Sequence, residues 1–222
     1  MSSKSSKEGP VNEYSPGEEI ANSITAGVGA AFSVAAMSVL VTLAAIKGDA
    51  WRVVSFSIFG AALVLLYFAM TLYHSFRSPR LKRFFQLMDH VFIYVLIAGT
   101  YTPVMLVNLR GVWGWSLFGI IWGLAVAGIV FKILFFGRFI VLSTAVYVAM
   151  GWLALVALKP AMAVIPTRGL VWFLIGGLSY TAGVVFYAWR RLPYNHALWH
   201  VFILGGSICH FFAVLFYILP MK

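Results

Sequence analysis

The chain has 222 residues, of which 62% are hydrophobic and only 10% are charged. Soluble domains carry roughly 25% charged residues, so this composition excludes a protein with a water-facing surface. The formal net charge of +10 would indicate nucleic-acid binding in a soluble protein, but here the basic residues stand singly or in small groups between apolar runs. Such residues set membrane orientation. We therefore expect an integral membrane protein whose partners are membrane lipids and which binds no nucleic acid.

Seven apolar runs follow a polar segment in which Glu18 and Glu19 stand where a signal peptide would be basic. They cover roughly residues 20–46, 51–74, 86–109, 113–136, 139–158, 169–189 and 196–219. Each is about 20 residues or longer, as a membrane-crossing helix requires. The fifth is the shortest, because Lys159 and Pro160 end it. We predict an all-α bundle of seven transmembrane helices over residues 20–222, preceded by a cytosolic polar tail over 1–19.

Lysine and arginine are unevenly divided between alternate loops. With the N-terminus inside, the cytoplasmic loops carry ten of these residues and the outer loops carry six. The largest group is Arg77, Arg80, Lys82 and Arg83, between the second and third runs, and Lys132 is counted on the same side. Because cytoplasmic loops carry the excess of basic residues, we predict a cytoplasmic N-terminus and a C-terminus outside.

Seven alternating helices bring the end of the second, the start of the third and the start of the seventh to one side of the bilayer. The first helix starts on this side as well. Ionisable side chains in apolar helices are costly, so they normally face the bundle interior and pair or bind a ligand. The polar residues predicted at this level are Glu19, Asn22, His74, Asp89, His90, His196 and His200. Their shared depth predicts a site near the cytoplasmic face.

His196 and His200 have the i, i+4 spacing that places two imidazoles on one face of a helix. Asn195 is a candidate N-cap, which would put both histidines in the first two turns. Taken alone, the pair is equally consistent with two hydrogen-bonded histidines. With His74 as a third ligand, the set predicts a zinc site whose fourth position is open to water, as in catalytic zinc sites.

The remaining polar residues of this level have two interpretations each. Asp89 is a candidate general base or a partner of bound water, or else it is a charge at the N-terminal end of its helix or forms an ion pair with Lys82 or Arg83. Glu19 either closes the cytoplasmic mouth or is a solvated capping charge.

Two other histidines are predicted to have no part in metal binding. His90 is expected to be an interfacial or packing residue. His210 follows His196 by about 21 Å along the helix, too far to share its metal, and is expected to be buried and hydrogen-bonded. The single cysteine, Cys209, excludes an intramolecular disulfide and a cysteine-based metal cage.

Five segments together resemble the hemolysin III family, the bacterial branch of the progestin and adipoQ receptor superfamily. They are EEIAN at 18–22, TLYH at 71–74, MDHVFIY at 88–94, AGTYTP at 98–103 and PYNHALWH at 193–200. The resemblance implies a bacterial plasma (inner) membrane protein with a cytoplasmic N-terminus. It also implies a zinc ion held by His74, His196 and His200, with the family's aspartate at Asp89. Two positions depart from the family: Met70 replaces a usual serine and Ala26 a usual histidine.

The resemblance leaves three functions open. The first is a zinc-dependent intramembrane hydrolase of a lipid amide such as a ceramide-like substrate, and the loss of the serine at Met70 bears on this activity more than on zinc binding. The second is a sensor or regulator of membrane lipid state with a structural zinc. The third is a pore-forming cytolysin, which we place last because an embedded bundle lacks the soluble-to-membrane transition of toxins. The oligomeric state stays open.

Overall fold

The computed structural model describes residues 14–220, and all regular structure in that range is helical. Its α-helices are α1 (Pro16–Lys47), α2 (Ala50–Ser75), α3 (Pro79–Pro103), α4 (Val112–Leu134), α5 (Ile140–Trp152), α6 (Leu158–Val164), α7 (Thr167–Ala188) and α8 (Asn195–Ala213). A π-helical turn extends α3 to Asn108, and another extends α8 to Ile218. A 3₁₀ turn joins α5 to α6. Seven of the resulting stretches are long and apolar enough to cross a membrane, which confirms the predicted seven-helix architecture.

Helix α1 begins at Pro16, earlier than the predicted start at residue 20. Ser15 and Glu18 form a capping box: the Glu18 carboxylate accepts the Ser15 N–H at 3.0 Å, and the Ser15 hydroxyl accepts the Glu18 N–H at 3.3 Å. This exchange satisfies two N–H groups that a helix start leaves without partners. Residues 1–13 of the predicted tail lie outside the described part of the chain, so the tail stays a prediction.

The fifth span does not end at residue 158 as predicted. It continues through the 3₁₀ turn Leu153–Ala157 and α6 to Val164. Pro160 has no N–H to give, and in a continuous α-helix its ring would clash with the carbonyl of Val156. The chain avoids the clash by tightening into a 3₁₀ turn before Pro160, which then lies in the first turn of α6. The proline reshapes the span without ending it.

Basic residues that were counted with the cytoplasmic loops lie in helices. Pro79 and the following Arg80, Lys82 and Arg83 form the first turns of α3. Lys132 lies in the last turn of α4 and is only 2% exposed, so it does not belong to a loop. Because a buried ammonium group is not a loop charge, Lys132 is removed from the count of basic residues in cytoplasmic loops. The predicted orientation of the termini stays a prediction.

The helices pack so that the first, second and last spans meet. Helix α1 packs against α2 and α8, α2 against α3, and α7 against α8. The α1–α2 contact is close because Gly29 faces the Tyr67 ring, where a Cβ atom would lie 2.2 Å from the ring. This packing fixes the relative positions of Glu19 on α1, His74 on α2 and His200 on α8.

Candidate metal centre

The structure brings His74, His196 and His200 together at one end of the bundle. His74 lies in the last turn of α2, and the other two lie in the first two turns of α8. All three are buried, and one ligand atom from each lies within 4.8 Å of the others. The alternation of helices predicted this meeting, and the arrangement could hold a metal ion.

Glu19 orients the His74 ring. His74 Nδ1 lies 2.8 Å from Glu19 Oε2, and because an ionised carboxylate only accepts hydrogen bonds, Nδ1 carries the hydrogen. Lys82 pairs with the other oxygen of Glu19, which keeps the carboxylate charged. The ring therefore presents Nε2 as a lone pair. Neither predicted role of Glu19 describes this contact, and the capping role belongs to its neighbour Glu18.

Thr25 orients the His200 ring in the same way. The Thr25 hydroxyl donates to the Ala21 carbonyl at 2.8 Å, so its oxygen is left to accept from His200 Nδ1 at 3.0 Å. The lone pair of His200 is then on Nε2. Sequence reasoning missed Thr25, which lies about 120° from Glu19 around the axis of α1 with Asn22 midway between them.

The ring nitrogens that face one another have no hydrogen-bond partner within residues 14–220. They are His74 Nε2, His200 Nε2 and both nitrogens of His196. Most buried polar side-chain atoms in proteins have a partner, so several orphaned nitrogens at one point require an explanation. Three neutral imidazole lone pairs are the donors that zinc, copper, iron and nickel accept. The residues present fit a metal ion, and they leave its identity open.

The start of α8 differs from the prediction. Asn195 is the first residue of the helix, and the N-cap is Tyr194, whose φ of 57° lies in the left-handed region. The Asn195 side chain instead donates to the carbonyls of Phe186 and Tyr187, at 3.2 and 3.3 Å, at the end of α7. The Tyr194 N–H donates to Glu18 Oε1 at 3.2 Å. These contacts fix the entry of α8 against α7 and α1, and so fix His196 and His200.

Asn22 is a further polar residue of this centre. It is 0% exposed, and neither amide atom has a partner in the described part of the chain. On α1 it lies between Glu19 and Thr25, the residues that hold His74 and His200. Helical spacing therefore turns Asn22 toward the gap between these two rings. Burying an amide without a hydrogen bond is costly, so the Asn22 side chain is a candidate partner for a bound molecule.

Asp89 is buried beside the centre, at 1% exposure, and its Oδ1 has no partner in residues 14–220. The predicted alternative of an ion pair with Lys82 or Arg83 is wrong, because Lys82 pairs with Glu19, and within residues 14–220 the one basic side-chain nitrogen within 4.0 Å of the Asp89 carboxylate is His90 Nδ1, at 3.8 Å. His90 Nδ1 donates to the Gln86 carbonyl at 2.7 Å, as expected for a packing residue. The catalytic role of Asp89 stays a prediction.

A cavity of about 580 Å³ opens beside the centre, with walls from α3 and from α5 to α8. Asp89, Lys132 and His196 line it, and most of its other residues are aliphatic or aromatic. His210 also lines it, and its Nε2 donates to the Phe173 carbonyl at 3.2 Å, which confirms the prediction of a hydrogen-bonded histidine. The cavity is long and apolar and has its charged groups beside the histidine centre.

A family model described as Haemolysin-III related matches residues 14–211. The chain belongs to the haemolysin-III family. Among its family relatives, Hemolysin-3 of Bacillus cereus is 50% identical over 203 residues, covering 91% of this chain and 93% of the relative. The Hemolysin-3 homolog of Bacillus subtilis (strain 168) is 50% identical over 200 residues, covering 90% and 94%.

A more distant relative is human. The monocyte to macrophage differentiation factor of Homo sapiens is 28% identical over 178 residues, covering 76% of this chain and 72% of the relative. No solved structure gives a significant match. The haemolysin-III match spans all three clustered histidines and confirms a multi-pass membrane protein of this family.

The two departures from the family pattern lie beside the centre. Met70 is fully buried on α2, one turn before His74, and Ala26 is fully buried on α1, next to Thr25. Neither side chain can donate a hydrogen bond, and the Met70 thioether is only a weak acceptor. Thr71, which follows Met70, gives its hydroxyl to the Tyr67 carbonyl. Thr71 therefore does not replace the missing serine, and the other hydroxyl of this turn, on Tyr73, accepts a hydrogen bond from Gln86 Nε2 at 3.0 Å.

Proposed function

We propose that this chain is a zinc-dependent intramembrane hydrolase of lipid amides. The observation that carries the proposal is the meeting of three buried, unpartnered imidazole nitrogens beside a buried carboxylate and an apolar cavity. A metal centre alone also serves a structural role, but a structural site has no need of an adjoining lipid-sized cavity. Together these features favour chemistry on a bound lipid.

Zinc is the metal that we assign to His74, His196 and His200. Three protein ligands with a fourth position left to water or substrate are the arrangement of catalytic zinc sites. Glu19 and Thr25 each fix one imidazole by its Nδ1 hydrogen, as outer partners of zinc-binding histidines do. Bound zinc supplies a Lewis acid that polarises a carbonyl and lowers the pKa of water toward about 7.

The side chains of this chain have separate tasks in the proposed hydrolysis. Asp89 takes a proton from the attacking water and passes it to the nitrogen of the leaving amine. The water oxygen adds to the amide carbonyl carbon, the C–N bond breaks, and a fatty acid and an amine are released. The Asn22 amide, which has no hydrogen-bond partner among residues 14–220, donates to the substrate carbonyl oxygen or accepts from the water. These tasks use the two unpartnered polar side chains beside the histidines.

The proposed substrate is a lipid because the cavity is apolar along most of its length. An acyl chain in the cavity would bring its amide end to the charged and histidine-bearing end. We place this end at the cytoplasmic face of the bacterial inner membrane. Arg77, Arg80 and Arg83 surround the start of α3 at the same end of the bundle as His74, and basic residues concentrate on the cytoplasmic side.

Purified protein in lipid nanodiscs tests the proposal by two measurements on one sample, metal content and fatty-acid release from ceramide. We expect about one zinc per chain and turnover in the wild type. Asp89→Asn is expected to retain zinc and lose at least about a hundredfold in turnover, the contribution of a general base. Asp49→Asn is the matched control, because Asp49 caps α2 at the opposite end of the bundle.

The other outcomes separate the alternatives. Zinc without turnover on any lipid amide would support a regulator with a structural metal. Ion conductance in a pure bilayer would support a pore-forming protein. Unchanged turnover in Asp89→Asn would remove Asp89 from the mechanism.

A further inference from the structure

Most hydroxyl groups along the middle of the cavity cannot donate a hydrogen bond to a bound molecule. Each donates its hydrogen to a backbone carbonyl, as threonine and tyrosine do in apolar helices. The residues are Thr100, Tyr101, Thr144, Tyr147 and Thr181. Their hydrogens are already bonded, so they contribute a wall without free donors, and a plain hydrocarbon chain fits beside it.

Tyr180 is different. It lines the same cavity, and within residues 14–220 its hydroxyl has one hydrogen-bond partner, the Ser207 hydroxyl at 3.0 Å. Ser207 in turn contacts the Tyr67 hydroxyl at 2.9 Å. None of the three makes a hydrogen bond to a carbonyl of residues 14–220. Three hydroxyl hydrogens share two contacts, so one hydrogen has no acceptor within the described chain.

Burial identifies the group with the spare hydrogen. Tyr67 and Ser207 are both 0% exposed and neither lines the cavity, whereas Tyr180 does. When Tyr67 donates to Ser207 and Ser207 donates to Tyr180, the remaining hydrogen is on Tyr180, where a bound molecule can accept it. The other two arrangements leave an unpaired O–H group in the apolar interior, which is unfavourable.

Two helices give the same depth for this donor. Tyr180 precedes Tyr187 by seven residues on α7, and the Tyr187 ring lies 6.1 Å from that of His196. Ser207 follows His200 by seven residues on α8. Seven residues correspond to about 10 Å along a helix axis. The Tyr180 hydroxyl therefore lies about 10 Å deeper than the histidine centre, along the path that an acyl chain would follow.

We propose that the Tyr180 hydroxyl is a binding subsite that selects lipids carrying a hydroxyl or keto oxygen part-way along the acyl chain. This inference rests on the proposed function only in taking a lipid as the occupant of the cavity. The oxygen accepts the spare hydrogen of Tyr180, while the rest of the chain contacts the apolar wall. A saturated chain binds as well but leaves this donor unpaired.

The test measures binding of stearic acid and of its positional hydroxy isomers, with the hydroxyl moved stepwise along the chain. Wild-type protein in nanodiscs is titrated by displacement of a fluorescent fatty acid. We expect one mid-chain isomer to bind about fivefold more tightly than isomers with the hydroxyl near either end, the ratio that one net hydrogen bond gives. Tyr180→Phe is expected to abolish this preference and leave stearic acid binding unchanged.

Tyr217→Phe is the matched control, since Tyr217 lies at the far end of the same span as Ser207 and does not line the cavity. Tyr217→Phe is expected to keep the preference for one mid-chain hydroxy isomer. A flat wild-type profile, a preference that survives Tyr180→Phe, or no binding of any isomer would each overturn the subsite. Metal content and ceramide turnover are measured on the same samples. Absence of zinc or turnover with an intact isomer profile would refute the proposed hydrolase and leave the subsite standing.

Discussion

Two regions of the bundle place histidines in apolar helices, with opposite outcomes. At the histidine centre, the facing nitrogens of His74, His196 and His200 have no partner within residues 14–220. On the cavity wall, His90 and His210 each use one nitrogen on a backbone carbonyl of Gln86 or Phe173. Burial alone therefore does not identify a ligand-binding histidine. The informative feature is where the unpartnered nitrogens point and whether several converge.

The largest expected effect is from His200→Ala. Removing one of three ligands leaves two imidazoles, too few for a stable site, so metal content should fall from about one ion per chain to a small fraction. The measurement is elemental analysis of protein purified without added metal. Retention of a full equivalent of metal would disprove this centre.

The next largest loss of metal binding is expected from Glu19→Gln. The substitution removes the charge that fixes the His74 ring and pairs with Lys82, and loss of such a partner lowers metal affinity by about 10- to 100-fold. Competition with a chelator measures the affinity. Glu18→Gln is the control, because this neighbouring acid belongs to the capping box and touches no histidine. Equal effects of the two substitutions would argue against a specific role of Glu19.

Thr25→Val is expected to weaken metal binding by a smaller factor, of about tenfold or less, since it removes a neutral acceptor of the His200 Nδ1 hydrogen and nearly keeps the side-chain volume. The same competition assay applies. Thr71→Val removes a hydroxyl that serves only its own helix and should leave affinity unchanged. An affinity of Thr25→Val equal to that of wild type would show that this contact does not orient the ring.

The smallest effect on the metal is expected for His210→Leu, which should keep a full equivalent. It should lower the free energy of unfolding by about 1 kcal/mol through loss of the bond to the Phe173 carbonyl. Unfolding in a denaturing detergent, followed by helical circular dichroism, measures this change. Metal loss in His210→Leu would show that a histidine of the cavity wall also contributes to metal binding, contrary to the distinction between the two regions.

Much of the fold follows from local composition. Each span is an apolar run long enough to cross a bilayer, and the even number of spans between His74 and His196 placed both residues at the same end of the bundle. Boundaries were less accurate where local chemistry competes with hydropathy. Ser15 and Glu18 start α1 early, and Pro160 is accommodated by a 3₁₀ turn instead of ending its span.

The ligands were predictable and their supports were not. Charged or ionisable residues stand out in an apolar sequence, which is why His74, His196, His200 and Asp89 could be selected. Thr25 and Tyr180 are ordinary residues of membrane helices and carry no such signal. Their roles depend on which hydroxyl already has an acceptor, and that depends on the neighbouring helix.

The sequence by itself determined the number of spans, their apolar character and the end of the bundle at which three histidines meet. Only the tertiary structure decided that Glu19 holds His74, that the buried Asn22 amide has no hydrogen-bond partner in the described part of the chain, and that Lys132 is buried at a cavity. The physical reason is that hydropathy acts along one helix, whereas hydrogen-bond partners in lipid come from adjacent helices. Their rotation and depth are fixed by packing contacts distant in sequence, such as that of Gly29 with Tyr67.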